Sequence, residues 1–109
     1  MKNIIIVSDG NKLHYLKSEN LIRLEARGSY TLVFMKSGIE ILSTKNLKSV
    51  SQGLDSNIFV RVHAAHIVNT REIDAYIKGR SGELVMSDGS IVPVSQRRKS
   101  DFQKRLNGK

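Results

Sequence analysis

The chain lacks several features that would otherwise define its class. Its 109 residues include no cysteine, so neither a disulfide framework nor a cysteine-based zinc site can form. The absence of cysteine also fits a reducing compartment. No apolar run approaches the ~18 residues that a membrane-spanning helix needs, and the stretch 1–7 is too short for a signal peptide. We therefore expect a single domain over residues 1–109, with one core, located in the cytoplasm and without a membrane partner.

Residues that would support catalysis or metal binding are also missing. The sequence contains neither G-x-x-x-x-G-K nor G-x-G-x-x-G, so no phosphate-cradling loop is predicted. His63 and His66 form H-x-x-H, but the only other histidine is His14 and no acidic cluster completes a metal shell. Nothing places a nucleophile, a base and an orienting group together. We expect no enzyme activity, no metal and no cofactor.

Positive charge is abundant by contrast. Eighteen lysine and arginine residues against ten aspartate and glutamate residues give a net charge of +8 and a pI near 10.1. Residues 95–109 contain six cations and one anion, a net +5 that leaves +3 for the rest of the chain. A basic surface on a small domain indicates a polyanionic partner, and nucleic acid is the commonest one. The alternative is a generally basic soluble protein.

Hydrophobic periodicity predicts a mainly-β domain. Alternating apolar runs separated by turn residues indicate short strands, and Ser37-Gly38 and Asp88-Gly89 are typical of hairpin turns. One short helix is predicted from Asn46 to about Gln52, with Asn46 or Thr44 as its N-cap. A second is predicted after Ser95, its N-cap, with Arg98, Phe102 and Leu106 on one face. Pro93, the only proline, indicates an edge strand.

Residues 59–69, F-V-R-V-H-A-A-H-I-V-N, stand out within this pattern. The alternation predicts Val60 and Val62 on one face and Arg61 and His63 on the other. Ala64-Ala65 then forms a turn whose side chains are too small to fill a core. Such a turn brings the backbone close to the rest of the protein or to a partner, and we expect Arg61 and Asn69 mainly to secure it.

Two other basic segments are candidate anion sites. Arg97, Arg98 and Lys99 occupy the first turn of the C-terminal helix, where cations are unfavourable by ~0.3–1 kcal/mol each unless an anion binds. The alternative is a solvated basic face. The tip at 27–30, which contains Arg27, Ser29 and Tyr30, can reach phosphates or base edges, or can be an ordinary turn with its tyrosine folded back.

Three segments together resemble the LytTR family of DNA-binding domains. They are residues 24–31 (LEARGSYT), 59–69, which resemble its F-x-R-x-H-x-x-x-x-V-N pattern, and 91–98 (IVPVSQRR), which resemble its P-V-S-x-R-R ending. They occur in the family's order, and the resemblance covers nearly all of residues 20–106.

The resemblance implies several small antiparallel sheets stacked in an elongated body, and a bacterial transcription regulator. Loops rather than a recognition helix would enter successive major grooves of double-stranded DNA, at promoter repeats. The implied DNA-binding residues are Arg27, Ser29, Tyr30, His63, Ala64, Gln96, Arg97, Arg98 and Lys99. Family members are usually output domains of two-component response regulators, so the resemblance also implies a receiver domain in a longer chain and leaves dimerisation on DNA open.

Two positions depart from the family pattern. Ala64 stands where members often carry a polar or basic side chain, and it offers only a methyl group for a thymine methyl. Gln96 stands where arginine is frequent, which favours adenine over guanine there.

Two other functions stay open. One is an RNA-binding β-domain, disfavoured because only six aromatic residues are present and Phe34 and Phe59 are expected in the core. The other is a non-enzymatic protein-interaction module.

Overall fold

The protein is a mainly-β domain built from three antiparallel sheets and two helices, which confirms the predicted fold class. A computed structural model describes residues 3–80 and 82–107, with side chains to Lys104. The body is elongated, with extents of 41 × 28 × 23 Å. The strands are β1 (Ile4–Ser8), β2 (Leu13–Lys17), β3 (Leu21–Arg27), β4 (Tyr30–Met35), β5 (Glu40–Ser43), β6 (Phe59–His63), β7 (His66–Asn69), β8 (Ile73–Ile77), β9 (Glu83–Met86) and β10 (Ile91–Pro93). The helices are α1 (Leu47–Ser51) and α2 (Gln96–Asn107).

Most neighbouring strands are also neighbours in sequence. β1 and β2 form a two-stranded sheet, and β10-β9-β8 form a three-stranded sheet in that order. The central sheet has the order β5-β4-β3-β7-β6, so only the β3–β7 pairing joins strands distant in the chain. Pro93 lies on the edge strand β10, as predicted, because its nitrogen has no hydrogen to donate to a ladder.

The turns follow from local side-chain chemistry. In the β1–β2 turn, the Asp9 carboxylate accepts hydrogen bonds from the amides of Asn11 and Lys12 at 2.8 and 2.9 Å. His14 Nε2 lies 2.8 Å from the same carboxylate, and this contact together with the two amides holds the pKa of Asp9 well below its ordinary value. Gly28, in the β3–β4 turn, has a φ of +62°, which residues with a Cβ rarely adopt.

The central sheet buries apolar side chains on both faces, and the prediction of a single core was wrong. One face packs against α1 and the β1–β2 sheet, and the other packs against the three-stranded sheet and α2. The first core comprises Ile5, Val7, Leu21, Leu24, Val33, Ile41, Leu47, Val50, Leu54, Phe59 and Ile67. The second core comprises Ile22, Val60, Val62, Val68, Leu84, Met86, Val92, Val94 and Phe102.

A β-bulge between Arg61 and His63 changes the predicted alternation. Arg61 lies opposite Ile67, whereas His63 lies opposite His66. Because directly opposed residues share a face and Ile67 and His66 are adjacent in β7, Arg61 and His63 lie on opposite faces. The prediction that they share one face was therefore wrong, since one extra residue in β6 shifts the register.

Both helices begin at the predicted capping residues. The Asn46 side chain accepts a hydrogen bond from the Ser49 amide at 2.9 Å, and the Ser95 hydroxyl accepts one from the Arg98 amide at 3.2 Å. Phe102 is 1% exposed and anchors α2 to the second core, beside the Tyr76 ring. The predicted position of Leu106 on this face lies outside the described side chains.

Phe102→Ala should therefore destabilise the protein strongly. Removing a fully buried phenylalanine costs about 3–5 kcal/mol, through lost apolar burial and the cavity left behind. Urea unfolding followed by far-UV circular dichroism measures the change. Ile6→Ala is the matched control, because Ile6 is 57% exposed and its loss should change the unfolding free energy by well under ~1 kcal/mol. Equal shifts of the urea midpoint for both variants would contradict the role of Phe102 as the anchor of α2.

Candidate nucleic-acid interface

The β3–β4 turn presents three of the predicted residues at one end of the central sheet. Arg27, Ser29 and Tyr30 are all exposed. Arg27 Nε donates to Glu25 Oε2 at 2.6 Å, and its side chain remains 53% exposed. An arginine held through Nε keeps its two terminal nitrogens available for a bidentate contact with an anion. Tyr30 is 47% exposed, so its phenol is not folded back into the core.

The β6–β7 turn is fixed by its own side chains. Arg61 Nη2 donates to the Ala64 carbonyl at 2.5 Å, as expected for a residue that secures the turn. The expectation that Asn69 secures this turn was wrong, because Asn69 lies at the other end of β7, where its side-chain amide donates to the Leu21 carbonyl at 2.9 Å. The Ala65 amide lies 3.1 Å from His63 Nδ1. Because Nδ1 accepts this bond, a neutral His63 carries its proton on Nε2, which makes that nitrogen a donor.

The first turn of α2 contains cations and no acidic residue. Gln96 and Arg97 are exposed, and Arg98 is partly buried. Lys99 differs from them, because its Nζ donates to the carbonyls of Gly79 and Arg80 at 3.0 and 3.3 Å. Two of its three N–H groups are therefore used within the protein.

Backbone hydrogen bonds bring the three segments together. The Ala26 amide donates to the Ala65 carbonyl at 2.8 Å, which joins the β3–β4 and β6–β7 turns. The Ser95 amide donates to the Val62 carbonyl at 2.8 Å, which joins the start of α2 to the end of β6. The predicted residues thus lie on three connected segments, although they are separated by up to about seventy positions in sequence.

A charged network lies beneath the first two turns. Partial burial alone would raise the pKa of Glu25, but hydrogen bonds from Arg23 and Arg27 outweigh burial and lower it. Arg23 also contacts the Ser90 hydroxyl at 3.1 Å and stacks on the Phe34 ring at 3.7 Å. Glu25 thus offsets cationic charge at the base of the turn, while Arg27 keeps an exposed side.

The same environment also shifts the pKa of His66. Burial lowers its pKa, although the neighbouring Glu25 carboxylate, 3.9 Å from His66 Nδ1, works in the opposite direction. Nδ1 is buried and has no hydrogen-bond partner. His63 packs against the His66 ring with a centroid separation of 5.2 Å. The neutral form of His66 is therefore favoured in the folded protein.

A fourth segment reaches the same region, and the sequence patterns did not single it out. The loop between β8 and β9 places Lys78 and Gly79 beside His63 and Ser95 in a cleft of about 450 Å³. Its signal in the sequence is two cations flanking a glycine between strands.

Within the described part of the chain, no three histidine or carboxylate side chains group as metal ligands. No helix in the described ranges is long and apolar enough to cross a membrane.

Comparison with known proteins decides the family. The LytTr DNA-binding domain family matches residues 11–107. The chain belongs to this family. The structure also superposes on the LytTr DNA-binding domain of a putative methyl-accepting/DNA response regulator from Bacillus cereus with a TM-score of 0.84. Sequence identity there is 26%, and the match covers 97% of this chain and 98% of the other.

Curated relatives are transcriptional regulators of greater length. The heme-containing CO-sensing transcriptional regulator RcoM 1 of Paraburkholderia xenovorans is 31% identical over 99 residues, which cover 88% of this chain and 37% of that protein. The CO-responsive transcriptional regulator RcoM of Rhodospirillum rubrum is 30% identical over 90 residues, covering 80% and 38% respectively. The chain thus spans about a third of the length of these relatives.

Family membership confirms the resemblance seen in the sequence. The LytTR domain is a DNA-binding domain of transcription regulation, and this agrees with the prediction of a non-enzymatic protein. The individual site residues stay predictions.

His66 should make the stability of this LytTR domain depend on pH. Its folded pKa lies below the ordinary value of about 6.5, so as pH falls through that value the unfolded chain binds a proton that the folded protein excludes. The unfolding free energy should fall from pH 7.5 to 5.5, by at most ~1.4 kcal/mol per pH unit from this group. His66→Gln should flatten that decline in urea titrations. An unchanged decline would show that His66 does not cause it.

Proposed function

We propose that this LytTR domain binds double-stranded DNA sequence-specifically, with the three connected segments entering successive major grooves on one side of the duplex. It acts in bacterial transcription regulation, in the cytoplasm, without catalysis or a cofactor. The observation that carries the proposal is the pair of backbone hydrogen bonds, Ala26 to Ala65 and Ser95 to Val62. They hold loops with exposed cations and hydrogen-bonding groups in one fixed arrangement, which is what reading a duplex without a recognition helix requires.

The base contacts come from Tyr30, His63 and Gln96. The Tyr30 phenol is exposed and both donates and accepts hydrogen bonds. His63 Nε2 donates toward acceptors such as guanine N7 or O6, because Nδ1 already accepts from the Ala65 amide. Gln96 matches adenine, whose N6 and N7 pair with a carboxamide in bidentate fashion. Ala64 contributes a methyl group that fits against a thymine methyl.

The phosphate contacts come from the cations around these residues. Arg97 is exposed at the first turn of α2, where the helix dipole also favours an anion. The cations Arg27, Arg98 and Lys99 lie on the same connected segments, and the neutral hydroxyl of Ser29 lies in the β3–β4 turn. Such contacts fix the register of the protein on the duplex and make affinity fall steeply with salt.

The chain functions as the output module of a longer regulator. Response-regulator architecture, with a receiver domain in the same polypeptide, is one arrangement, and the Bacillus cereus neighbour is described as belonging to a response regulator. A sensory domain of another kind is the second, since the RcoM relatives are named as CO-responsive regulators. In both, two copies of the domain occupy promoter repeats.

Selection of bound duplexes from a random pool, at a stated salt concentration, tests the function directly. The expected result is an enriched motif whose affinity exceeds that of random DNA by ~10³-fold or more. Competition with single-stranded RNA should not displace the selected duplex. Displacement by RNA would favour the RNA-binding alternative, and the absence of binding to any nucleic acid would favour a protein-interaction module.

Arg97→Gln should weaken binding to all duplexes alike. Log affinity falls as log salt rises, and the loss of one phosphate contact makes this negative slope shallower by about 0.9. Fluorescence anisotropy over a salt series measures the slope. The control is Lys36→Gln, which removes the same charge at the opposite end of β4, where Lys36 lies 3.1 Å from Glu72. Identical slopes for wild type and Arg97→Gln would remove Arg97 from the interface.

Gln96→Arg should change which base is preferred rather than overall affinity. Arginine pairs with guanine O6 and N7, whereas glutamine pairs with adenine, and each matched pair contributes ~1–3 kcal/mol of discrimination. Parallel selections with both proteins should differ at one position, from adenine to guanine. A guanine preference already present in the wild type would overturn the assignment of Gln96.

A further inference from the structure

The β8–β9 loop stands at the end of the three-stranded sheet that faces α2. Ile77 pairs with Glu83, and Glu83 also pairs with Pro93, so the loop lies beside the strand that leads into the helix. The Val94 amide donates to the Gly82 carbonyl at 3.1 Å and joins the two. Lys78 and Arg80, the two cations of the loop, therefore approach the first turn of α2 without belonging to it.

Lys99 fastens this loop. Its ammonium donates to the carbonyls of Gly79 and Arg80, which are 20 and 19 positions away in the chain. The Lys99 side chain is partly buried, in contrast to the exposed Arg97 in the same turn. An ammonium with two N–H groups engaged by carbonyls is oriented toward the loop, and only one N–H is left for a further acceptor.

The loop and the proposed base-reading residue share one concave surface. Lys78 and Gly79 line the cleft of about 450 Å³ that His63 and Ser95 also line. A base edge that contacts His63 therefore lies at this cleft, beside Lys78. Lys78 is a long, flexible cation on the cleft wall, so its ammonium is suited to contact a phosphate that flanks such a base.

Lys78 and Arg80 lack the carboxylate partners that Arg27 and Lys36 have. Arg27 and Lys36 lie within 2.6 and 3.1 Å of the carboxylates of Glu25 and Glu72. Among the salt bridges of the described residues, none involves Lys78 or Arg80, although both are exposed. Two neighbouring cations without a carboxylate partner are suited to bind an external anion at little desolvation cost.

We propose that the β8–β9 loop is a fourth contact with the duplex, in which Lys78 and Arg80 bind backbone phosphates and Lys99 positions the loop. The ligand is the phosphodiester backbone of double-stranded DNA, so the contact adds affinity and register without base preference. This inference rests on the proposed function and deepens it. It changes the role of Lys99 from a direct phosphate contact to a positioning residue.

The first experiment measures salt dependence with the selected duplex and with random duplex DNA. Log affinity falls as log salt rises, and Lys78→Gln and Arg80→Gln should each make this negative slope shallower by about 0.9 on both duplexes. Lys36→Gln, with the same charge change, should leave the slope unchanged. If Lys78→Gln and Arg80→Gln leave the slope unchanged, as Lys36→Gln does, the fourth contact is overturned. A steep slope for the wild type would in that case still support the proposed function. A wild type without steep salt dependence overturns the proposed function itself.

The second experiment separates positioning from direct contact by Lys99. In the wild-type background, Lys99→Met should reduce both affinity and slope. In the Lys78→Gln/Arg80→Gln background, the same change should leave the slope nearly unaltered, because the groups that Lys99 positions are gone. A further drop of about 0.9 there would show that Lys99 binds a phosphate itself and would overturn its positioning role.

Hydrogen exchange of the free protein supplies an independent readout. Lys99→Met should increase exchange at the amides of Gly79, Arg80 and Gly82, while the amides of β6 keep their protection. Lys99→Arg, which retains a donor of similar length, should restore both loop protection and DNA affinity. Unchanged exchange in Lys99→Met would contradict the positioning role.

Discussion

The central five-stranded sheet has to bury both of its faces, and the position of each functional segment depends on that constraint. In β3, the adjacent residues Leu21 and Ile22 are both buried, one in each core, and Ile67 and Val68 repeat this arrangement in β7. Strands covered on both sides keep little freedom to twist or slip. The turns at one end of this sheet are therefore held by the cores, and they present side chains to a partner without a supporting helix beneath them.

Local chemistry made much of this fold predictable from sequence. Hairpin turns, the helix caps at Asn46 and Ser95 and the edge position of Pro93 depend on residues a few positions apart, so the sequence patterns indicate them correctly. The second core was not predictable in this way, because it forms between strands that are distant in the chain. The bulge at Arg61 was missed for a related reason, since period-two alternation assumes that no residue is inserted into one strand.

Side-chain partners across long separations are the hardest part of the site to predict. Nothing in the sequence near Lys99 indicates that its ammonium meets carbonyls about twenty positions earlier. The cations nevertheless divide clearly in the structure. Arg23, Arg61 and Lys99 form internal contacts that fix turns or loops, whereas Arg97 and the outer side of Arg27 face solvent. A count of basic residues predicts a nucleic-acid partner but not this division of roles.

The alanine turn determines how the domain can discriminate between bases. The Ala64 carbonyl is already bonded to Arg61 and its side chain is a methyl group, so His63 Nε2 is the side-chain polar group that the alanine turn offers to a base. Both guanine and adenine present N7 as an acceptor in the major groove, and one donor does not distinguish them. We infer that discrimination depends more on Gln96, on Tyr30 and on the deformability of the DNA than on this turn. A family member with a polar residue at the position of Ala64 would place more of its specificity in the turn, and the two proteins would then prefer different sequences despite the same fold.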